Sequence, residues 1–462
     1  IMFHKVNNIH FVGIGGIGMS GIAELLINQG FVISGSDLVE SEITKKLEIN
    51  GAKIFIGHNK NNINGSELLV YSSAVTKNNP ELVEAEKSKI PIIKRAEMLG
   101  ELVALKETSI GVAGTHGKTS TSSMLGALLT YGKMDPTLVV GGLVQNLNTN
   151  SLLGQSDLIV FEADEYDKSF LQMNPTIAII NNIEEEHMDC YKDINDLHDS
   201  FIQFANSVPF YGGVAVCIDS IGIQQILPKI KRPIITYGFS KEADIYAEEI
   251  SYKELKTSFT LYNKNKKCGR VKLNVPGKHN VLNSLAAITI GYELGLDSKT
   301  IIAGINSYSG VRRRFEIKGE AQGIIVVDDY AHHPTEVEAT LQAAKKGWDR
   351  RIISVFQPHL FSRTKIFYKE FAKAFMSSDI LLITDIYPAR EKPIDGVSGK
   401  LIFNAAKSEG HKNIYFINDL EKINDTLDKI AEENDMVITI GAGTIWRYGQ
   451  SYFDHLKDKV KV

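Results

Sequence analysis

A chain of 462 residues is long enough for about three domains, each with a hydrophobic core of its own, and too long for one small binding module. Hydrophobic residues make up 43% of the chain, charged residues 23%, and the net charge is −4, which argues against a basic nucleic-acid binder and against a protein embedded in a membrane. Any anion site must therefore be built locally.

The cysteines and the N-terminal stretch both predict a cytoplasmic protein. Cys190, Cys217 and Cys268 lie far apart, without the spacing of a zinc site or a redox pair. The first residues, IMFHKVNNIHFVGIGG, lead into a strand and a glycine loop without an apolar signal core, and no apolar run is long enough to span a membrane. We expect no membrane insertion and no nucleic-acid partner.

Short apolar runs alternate along the chain with longer segments of helical spacing. The runs include HFVG, TSIGVAG, DLIVFEAD, GIIVVDD and DMVITIGAG, and most of them end in glycine or a polar residue. Strands that are apolar on both faces belong to parallel sheets covered by helices. The sequence thus predicts an α/β protein with its ligand sites at the carboxyl ends of the strands.

Two breaks divide this pattern into predicted domains. The stretch AEMLGELVALKE precedes a new strand at Ser109, and GINSYSGVRRRFEIKG precedes another at Gly323. We place the domains at residues 1–105, 106–311 and 312–462. Within the middle domain, the alternation in KTSFTLYNKNKKCGRVKLNVPG predicts a β-hairpin.

The first motif is a glycine loop between a strand and a helix, in HFVGIGGIGMSGIAELL. Gly13, Gly15 and Gly18 permit a tight turn whose backbone N–H groups and helix N-terminus favour a diphosphate. Asp37, after the next strand, lies where a dinucleotide fold has its ribose-binding carboxylate. A nicotinamide cofactor, another diphosphate-linked nucleotide and a glycine turn used only for packing all remain open from this motif.

The second motif, GVAGTHGKTS, has the strand-loop-helix context of a phosphate loop. Lys118 would neutralise phosphate and the hydroxyl of Thr119 would bind Mg²⁺. The general pattern requires glycine at position 112, where this chain has valine, so the match is to the shorter pattern formed by Gly114, Gly117, Lys118 and Thr119.

Acidic residues follow the next strand, in DLIVFEADEYD. A carboxylate at a strand end beside a phosphate loop suits Mg²⁺, which takes few protein oxygens, and we choose Glu162. His187 follows a further strand end, in IINNIEEEHMD. On chemistry alone this histidine is either a metal ligand or a satisfied structural residue, since Mg²⁺ prefers oxygen.

Three polar clusters follow in the second half of the chain. In PGKHNVLNSLAA, Asn280 and Asn283 could bind a base or cap the helix. The run VRRRF could reach phosphate or be a solvated charge run. Two successive strand ends carry clusters that are hard to explain as core packing and that should face one cleft: Asp328, Asp329, Tyr330, His332 and His333 in the first, His359 and Arg363 in the second.

Together these stretches resemble the Mur ligases of peptidoglycan synthesis, over essentially the whole chain and in the right order. The matching stretches are Gly13 to Ser20, Gly114 to Thr119, Glu162 to Glu165, Asn182 to His187, His279 to Asn283, Arg313 to Phe315, Asp328 to Pro334 and Gln357 to His359. The resemblance implies three α/β domains: an N-terminal Rossmann-like domain, a central ATPase domain of the P-loop type with a mostly parallel sheet, and a C-terminal Rossmann-like domain.

The resemblance also implies a reaction and its substrates. ATP would phosphorylate the lactyl carboxylate of UDP-N-acetylmuramate, and the amine of L-alanine would attack the acyl phosphate. ATP and Mg²⁺ are the implied cofactors, and we expect a monomer or a weak homodimer. The residues implied for the UDP-sugar are Gly13, Gly15, Gly16, Ile17, Gly18, Met19, Asp37, Ser72 and Ser73.

The remaining roles carry over in the same way. Lys118, His187 and Arg313 are implied in catalysis, and Thr119, Glu162 and His187 in holding Mg²⁺. The residues implied for the nucleotide are Gly114, Thr115, His116, Gly117, Lys118, Thr119, Ser120, His279, Asn283, Arg314 and Asp329, and those implied for L-alanine are Tyr330, His332, His359 and Arg363.

Two departures from the family limit this transfer. Leu360 stands where many relatives have an arginine that could bind the amino-acid carboxylate. Some sibling ligases carry a carbamylated lysine in the helix after the His187 motif, but residues 195–205 contain no lysine, so we predict no carbamate.

Three other functions are weighed against this one. A sibling ligase that adds a recycled tripeptide to the same UDP-sugar shares several of the motifs, although GIGGIGMSG and QPHLFSRT favour the alanine-adding enzyme. A nicotinamide oxidoreductase leaves the phosphate loop unexplained. A non-catalytic ATP-dependent switch leaves the clusters at Asp328 to His333 and at His359 unexplained.

Overall fold

The protein is described here from a computed structural model that covers residues 6–72, 74–144, 149–186, 188, 190–389 and 391–460. The described chain forms two compact units. The first comprises Ile1–Glu249, Phe259–Val271 and Leu282–Ser309, and the second comprises Ile250–Ser258, Lys272–Val281 and Gly310–Val462. The predicted domain boundaries near residues 105 and 311 stay predictions.

The first sheet is parallel throughout and lies in the first unit. Its strands are β1 (Asn8–Val12), β2 (Val32–Asp37), β3 (Lys53–Ile56), β4 (Leu68–Tyr71) and β5 (Ile92–Lys94), in the order β3-β2-β1-β4-β5. The helices between them are α1 (Ile17–Asn28), α2 (Glu42–Ile49), α3 (Pro80–Lys87) and α4 (Arg95–Ala104). Because β1 is central, its apolar side chains are buried on both faces, as the sequence pattern predicts.

The second sheet is mixed. Its strands are β6 (Thr108–Ala113), β7 (Thr137–Val144), β8 (Thr149–Leu152), β9 (Leu158–Glu162), β10 (Ile177–Ile180), β11 (Gly213–Cys217), β12 (Ile234–Gly238), β13 (Ile245–Lys253), β14 (Lys256–Asn263) and β15 (Lys266–Leu273). The order is β15-β14-β13-β12-β11-β10-β6-β9-β7-β8, with a parallel run from β13 to β7. Strands β14 and β15 form the predicted hairpin, and its turn residues Lys264 and Asn265 both have positive φ.

Five helices accompany this sheet within the described ranges. They are α5 (Lys118–Tyr131), α6 (Ile194–Ser207), α7 (Ile221–Ile226), α8 (Lys278–Glu293) and α9 (Ser298–Asn306). Helix α5 begins directly after Gly117, whose φ of 80° lets the chain turn from the loop into the helix.

The third sheet forms the core of the second unit. Its strands are β16 (Glu316–Ala321), β17 (Ile324–Asp329), β18 (Arg351–Phe356), β19 (Ile380–Thr384), β20 (Ile414–Ile417) and β21 (Asp435–Ile440), in the order β16-β17-β21-β18-β19-β20. Neighbouring residues of β17 enter opposite cores: Val327 packs into one and Val326 into the other. The helices are α10 (Pro334–Gly347), α11 (Phe361–Ala374), α12 (Lys400–Ser408), α13 (Ile423–Ile430) and α14 (Ile445–Val460).

The edge strand β16 was not predicted from the sequence. It pairs antiparallel with β17 and is interrupted by a register shift between Ile317 and Gly319. Because it is only half-buried and lacks a strict alternation, its sequence EIKGEA has no clear strand signal. The overall prediction of a three-domain, mostly parallel α/β architecture is confirmed by the sheets together with the solved structures compared below. Within the described ranges, we find no helix with the length and apolar character that a membrane span requires.

Candidate active site

The glycine loop after β1 is held against the end of β2. The N–H groups of Gly13 and Ile14 both donate to Ser36 O, at 2.8 and 3.0 Å. Gly15 N donates to Asp37 Oδ2 at 2.8 Å, and a Cβ at Gly15 would lie 2.8 Å from the same oxygen. The turn therefore depends on glycine at position 15 because the carboxylate of Asp37 lies against its Cα.

Other predicted UDP-sugar residues lie around this turn. Gly16 is the N-cap of α1, Ile17 begins the helix, and Met19 is buried beneath it. Ser72 packs beside Gly13, since a Cβ there would lie 3.3 Å from the Ser72 Cβ. Ser73 lies outside the described residues.

Arg95 is a candidate ligand of this site that the sequence analysis missed. Its Nη1 would lie 2.8 Å from a Cβ at Gly18, so the guanidinium touches the first turn of α1. An arginine at a helix N-terminus that favours a diphosphate adds a charge-assisted donor. The only sequence signal is a basic pair, Lys94 and Arg95, after β5.

The phosphate loop after β6 adopts a glycine-dependent conformation. Gly114 and Gly117 have φ angles of 135° and 80°, which disfavour any other residue. A Cβ at Gly117 would lie 2.4 Å from Asn283 Oδ1, so Asn283 from α8 is brought against the loop, as predicted. Thr115 and Ser120 are buried, and His116 and Thr119 are half-buried.

Two asparagines after β10 brace this loop from below. Asn182 Oδ1 accepts the N–H of His116 at 2.8 Å, and Asn182 Nδ2 donates to His116 O at 3.2 Å. Asn181 Nδ2 donates to Thr121 Oγ1 at 3.0 Å, and Tyr237 OH donates to Asn181 Oδ1 at 3.0 Å. Asn181 and Tyr237 had not been predicted as supports, because their role depends on contacts between β10, β12 and α5.

Lys118 is held by a buried carboxylate that the sequence analysis did not choose. Its Nζ donates to Gly114 O at 2.6 Å, to Thr115 O at 3.2 Å and to Glu165 Oε2 at 2.7 Å. Burial lowers the pKa of Lys118, but Glu165 and Asp164 more than offset this and raise it, so the amine is charged. Burial raises the pKa of Glu165 to about 7, against the opposing effect of Lys118.

Glu162 occupies the predicted position beside the loop. Its Oε1 accepts Gly141 N at 2.6 Å and Ser122 Oγ at 3.3 Å, and Thr119 is a further hydrogen-bond partner. Burial raises the pKa of this carboxyl group. A hydroxyl and a buried carboxylate are the hard oxygen ligands that Mg²⁺ takes, and a cation would offset the cost of burying the charge, so the donor set fits the predicted metal. His187 lies outside the described residues.

In the second unit, the two predicted arginines form separate ion pairs at the end of β17. Arg313 Nε lies 3.0 Å from Asp328 Oδ2, and its Nη2 donates to Gly441 O at 2.8 Å. Arg314 Nη1 lies 3.4 Å from Glu336 Oε1. Both guanidinium groups lie over the ring of Tyr330, at 4.8 and 5.5 Å from its centroid.

Asp329 has backbone partners in this structure. Its Oδ2 accepts Phe315 N and its Oδ1 accepts Ala331 N, both at 2.8 Å. Burial raises its pKa to about 6. Its described contacts therefore tether the segment before β16 to the end of β17, and its proximity to a ribose stays a prediction.

The four predicted alanine-pocket residues come together in the second unit. The ring centroids of Tyr330 and His332 are 5.3 Å apart, and those of His332 and His359 are 5.9 Å apart. Arg363 Nη1 lies 3.2 Å from His359 Nδ1. Tyr387, which sequence reasoning missed, extends this ring series: it stacks on His359 at 5.9 Å.

Two further positions belong to the sequence predictions. Leu360 is the N-cap of α11 with a φ of 70°, and it provides no side-chain cap to the helix. His279 lies in the first turn of α8 and is exposed, whereas Asn283, one turn later, is buried. The structure thus brings together the glycine-loop residues, the phosphate-loop residues and the alanine-pocket residues, each within its own unit.

Comparisons with known proteins extend these observations. Sequence profiles of three parts of one family match the chain: "Mur ligase family, catalytic domain" over residues 8–107, "Mur ligase middle domain" over 112–291 and "Mur ligase, glutamate ligase domain" over 313–443. The UDP-N-acetylmuramate–L-alanine ligase of Geotalea daltonii is 48% identical over 99% of this chain and 100% of its own. The ligase of the same name from Geotalea uraniireducens is 49% identical over 99% of both chains.

Solved structures show the same architecture. The crystal structure of a UDP-N-acetylmuramate-alanine ligase from Thermotoga maritima superposes with a TM-score of 0.84 at 30% identity, over 98% of this chain and 99% of the other. A murein peptide ligase from Psychrobacter arcticus superposes with a TM-score of 0.73 at 26% identity, over 97% of this chain and 98% of the other.

Proposed function

Because the chain belongs to the Mur ligase family, we propose that it uses ATP to join L-alanine to the lactyl carboxylate of UDP-N-acetylmuramate, a step of peptidoglycan precursor synthesis. The observation that carries the choice of substrates is the full-length similarity to two ligases of that name. The sibling that adds a tripeptide is the weaker candidate, since the murein peptide ligase is less similar in both sequence and structure.

The reaction has two chemical steps. A carboxylate is a poor electrophile, so an oxygen of the lactyl carboxylate first attacks the γ-phosphorus of ATP, giving an acyl phosphate and ADP. The amine of L-alanine then attacks the acyl carbon, loses a proton, and phosphate leaves from the tetrahedral intermediate. Lys118 is proposed to neutralise the charge on the phosphate that moves.

The metal site is part of the proposal. Thr119 and Glu162 would hold Mg²⁺, with His187 as a further ligand, and the ion would neutralise phosphate charge. The absence of lysine in residues 195–205 supports ligands other than a carbamate. Ser122 and Gly141 orient the Glu162 carboxylate by donating to its Oε1.

The substrate sites are proposed from the clusters described above. The turn of Gly13 to Met19, with Asp37, Ser72 and Ser73, would bind the UDP part of the sugar, and Arg95 would add a positive charge. Tyr330, His332, His359 and Arg363 would bind L-alanine, with the guanidinium of Arg363 pairing with its carboxylate.

The remaining predicted residues are assigned to the nucleotide. The phosphate loop from Gly114 to Ser120 would hold the phosphates of ATP, with Asn283 beside it. His279, Arg313, Arg314 and Asp329 are proposed to face the same nucleotide, and Arg313 to act in catalysis. A cytoplasmic location and a monomer or weak homodimer complete the proposal, in keeping with nucleotide substrates.

One assay tests the function. ADP release by the purified protein is measured with ATP, with and without Mg²⁺, adding UDP-N-acetylmuramate and then either L-alanine or the tripeptide. We expect release only with Mg²⁺, the UDP-sugar and L-alanine together. Release with the tripeptide instead would assign the sibling reaction, and release without any acceptor would identify an ATPase.

Arg363→Ala tests the amino-acid site in the same assay. We expect a KM for L-alanine raised about tenfold or more, with an unchanged KM for ATP, because one charge-assisted fork is lost. An unchanged KM for L-alanine would remove Arg363 from the site.

A further inference from the structure

The first unit contains a fully buried carboxylate that the proposed reaction does not use. Glu81, in the first turn of α3, has no exposed side-chain surface. Its Oε2 accepts Ser36 Oγ at 2.6 Å, and its Oε1 accepts Asn62 Nδ2 at 2.6 Å and Asn59 N at 3.2 Å. Burial raises the pKa of Glu81, but its hydrogen bonds lower it to about 2, so the carboxylate is ionised at neutral pH.

Two histidines flank this carboxylate. His58 Nδ1 lies 2.9 Å from Ser36 Oγ and 3.3 Å from Glu81 Oε2. His10, on β1, points its Nε2 at the same Oε2 from 3.7 Å, while its Nδ1 lies 2.8 Å from Ser34 Oγ. His10 is fully buried, whereas the side chain of His58 is 15% exposed, so only His58 can reach a ligand.

The hydrogen-bond pattern fixes the tautomer of His58. An ionised carboxylate only accepts hydrogen bonds, so the single hydroxyl proton of Ser36 points to Glu81. Ser36 Oγ must then accept from His58, which makes Nδ1 the donor. A neutral His58 therefore carries its proton on Nδ1 and has a lone pair on Nε2, and this nitrogen makes no hydrogen bond to the part of the chain that the structure describes.

The position of His58 places that lone pair at the nucleotide end of the glycine-loop site. β3 ends at Ile56, and the next residue, Gly57, donates its N–H to Asp37 O at 2.7 Å. Asp37 is the predicted ribose ligand, and in folds of this type the base lies beyond the ribose, along the strand ends. Leu38 and Val39, which follow Asp37, expose 70% and 69% of their surface, as apolar side chains beside a planar base would.

We propose that His58 recognises the base of the UDP-sugar, with Nε2 accepting a hydrogen bond from the N3–H of uracil, and that Glu81 is the positioning residue that keeps the histidine proton on Nδ1. Uracil has a donor at N3, whereas cytosine has an acceptor at the same position. The arrangement therefore selects uridine over cytidine nucleotides. The inference rests on the proposed function, since it assigns the base of the proposed UDP-sugar substrate.

Binding of simple nucleotides tests the contact without the ligase reaction. Calorimetry with the full-length protein compares UDP, CDP and 3-methyl-UDP, which lacks the N3–H. We expect UDP to bind at least tenfold more tightly than either analogue. His58→Ala should weaken UDP about tenfold and bring UDP and CDP to similar affinity, whereas His198→Ala, on a half-buried histidine of α6, should leave their ratio unchanged. An unchanged ratio in His58→Ala overturns the proposal.

The role of Glu81 is tested by the tautomer itself. In ¹⁵N spectra of histidine-labelled wild-type protein, the signal missing from His58→Ala should show a protonated Nδ1 and an unprotonated Nε2. Finding the proton on Nε2 in the wild type overturns the proposal, and this measurement needs no folded Glu81 variant. Ser36→Ala should lower the UDP:CDP ratio and Ser36→Thr, which keeps the hydroxyl, should restore it; an unchanged ratio in Ser36→Ala also counts against the mechanism.

Failure of the inference is distinguishable from failure of the proposed function. If the wild type releases ADP only with UDP-N-acetylmuramate and L-alanine, yet binds UDP and CDP equally, the ligase function holds and the base contact is wrong. If the wild type releases no ADP with these substrates but discriminates UDP from CDP through His58, the base contact holds and the ligase function is wrong.

Discussion

Two glycine loops of the first unit share a backbone plan and differ in the charges around it. After β1, Gly13 turns the chain into α1, and the loop is tied to Ser36 O and the Asp37 carboxylate. After β6, Gly117 turns the chain into α5, and the loop encloses the ammonium of Lys118, paired with Glu165. Both turns offer backbone N–H groups and a helix N-terminus to phosphate.

The difference separates binding from chemistry. A diphosphate that is only bound needs donors and a fitted cavity, whereas a phosphoryl group that is transferred needs charges aimed at the transition state. The second loop has a buried cation, a buried metal-suited carboxylate at Glu162 and a further carboxylate at Glu165. We therefore expect substitutions at the second loop to affect kcat and those at the first to affect the KM of the UDP-sugar.

Lys118→Ala should have the largest effect. Removing the one cation of the second loop should lower kcat about 10²–10³-fold, because phosphoryl charge loses its nearest neutralising group. The measurement is ADP release at saturating substrates, with thermal unfolding to verify the fold. Lys87→Ala, on the exposed end of α3, is the control. If kcat survives in Lys118→Ala, the two loops do not differ as described.

Acid should destabilise the structure around the first loop through Glu81. Its pKa in the folded protein, about 2, is below the ordinary 4.5, so its stabilising effect is complete above pH 4.5 and is lost as the pH falls toward 2. The loss amounts to about 3 kcal/mol of the free energy of unfolding. Urea unfolding at pH 5 and pH 3 should show the wild type and Glu81→Gln converging in midpoint; a constant difference would contradict this.

Gly117→Ala separates collision from backbone strain in the second loop. The added Cβ would meet Asn283 Oδ1 at 2.4 Å, and the φ of 80° is itself unfavourable for alanine. We expect kcat/KM for ATP to fall about 10²-fold, since a displacement near 1 Å misaligns the transferred phosphate. Gly65→Ala has a similar φ of 83° but open space around its Cβ, so it should leave the kinetics unchanged. Equal effects of the two would point to strain alone.

Gly15→Ala should have the smallest effect and change a different constant. Its Cβ would lie 2.8 Å from Asp37 Oδ2, so the carboxylate must move away from the loop. We expect the KM for UDP-N-acetylmuramate to rise about tenfold while kcat at saturation and the KM for ATP stay the same. A fall in kcat would mean that the first loop takes part in the chemical steps, and the contrast between the loops would fail.

Much of the fold was predictable because its signals are local. β1, β6, β9, β17 and β21 are short apolar runs that end in glycine or a polar residue, and each forms a buried parallel strand as expected. The half-exposed edge strand β16 was missed because an edge strand needs neither a fully apolar run nor a strict alternation.

The candidate site was predictable where one short stretch carries both the turn and the chemistry. Lys118 and Thr119 follow their glycines directly, and Glu162 ends its strand. Arg95, Asn181 and Tyr237 had no such signal, because each meets a loop that is distant in sequence. Their functions exist only where separate strands and helices pack together.

The sequence by itself determined the family, the strand ends that carry the ligands and the two glycine turns, since these depend on residue order over short distances. Only the tertiary structure decided which partner each charged group takes: Glu165 for Lys118, Asp328 for Arg313, and Ser36 with His58 for Glu81. The physical reason is that burial makes every charge depend on its neighbours in space. Those neighbours lie 15 to 47 positions apart in the chain, beyond the reach of any local pattern.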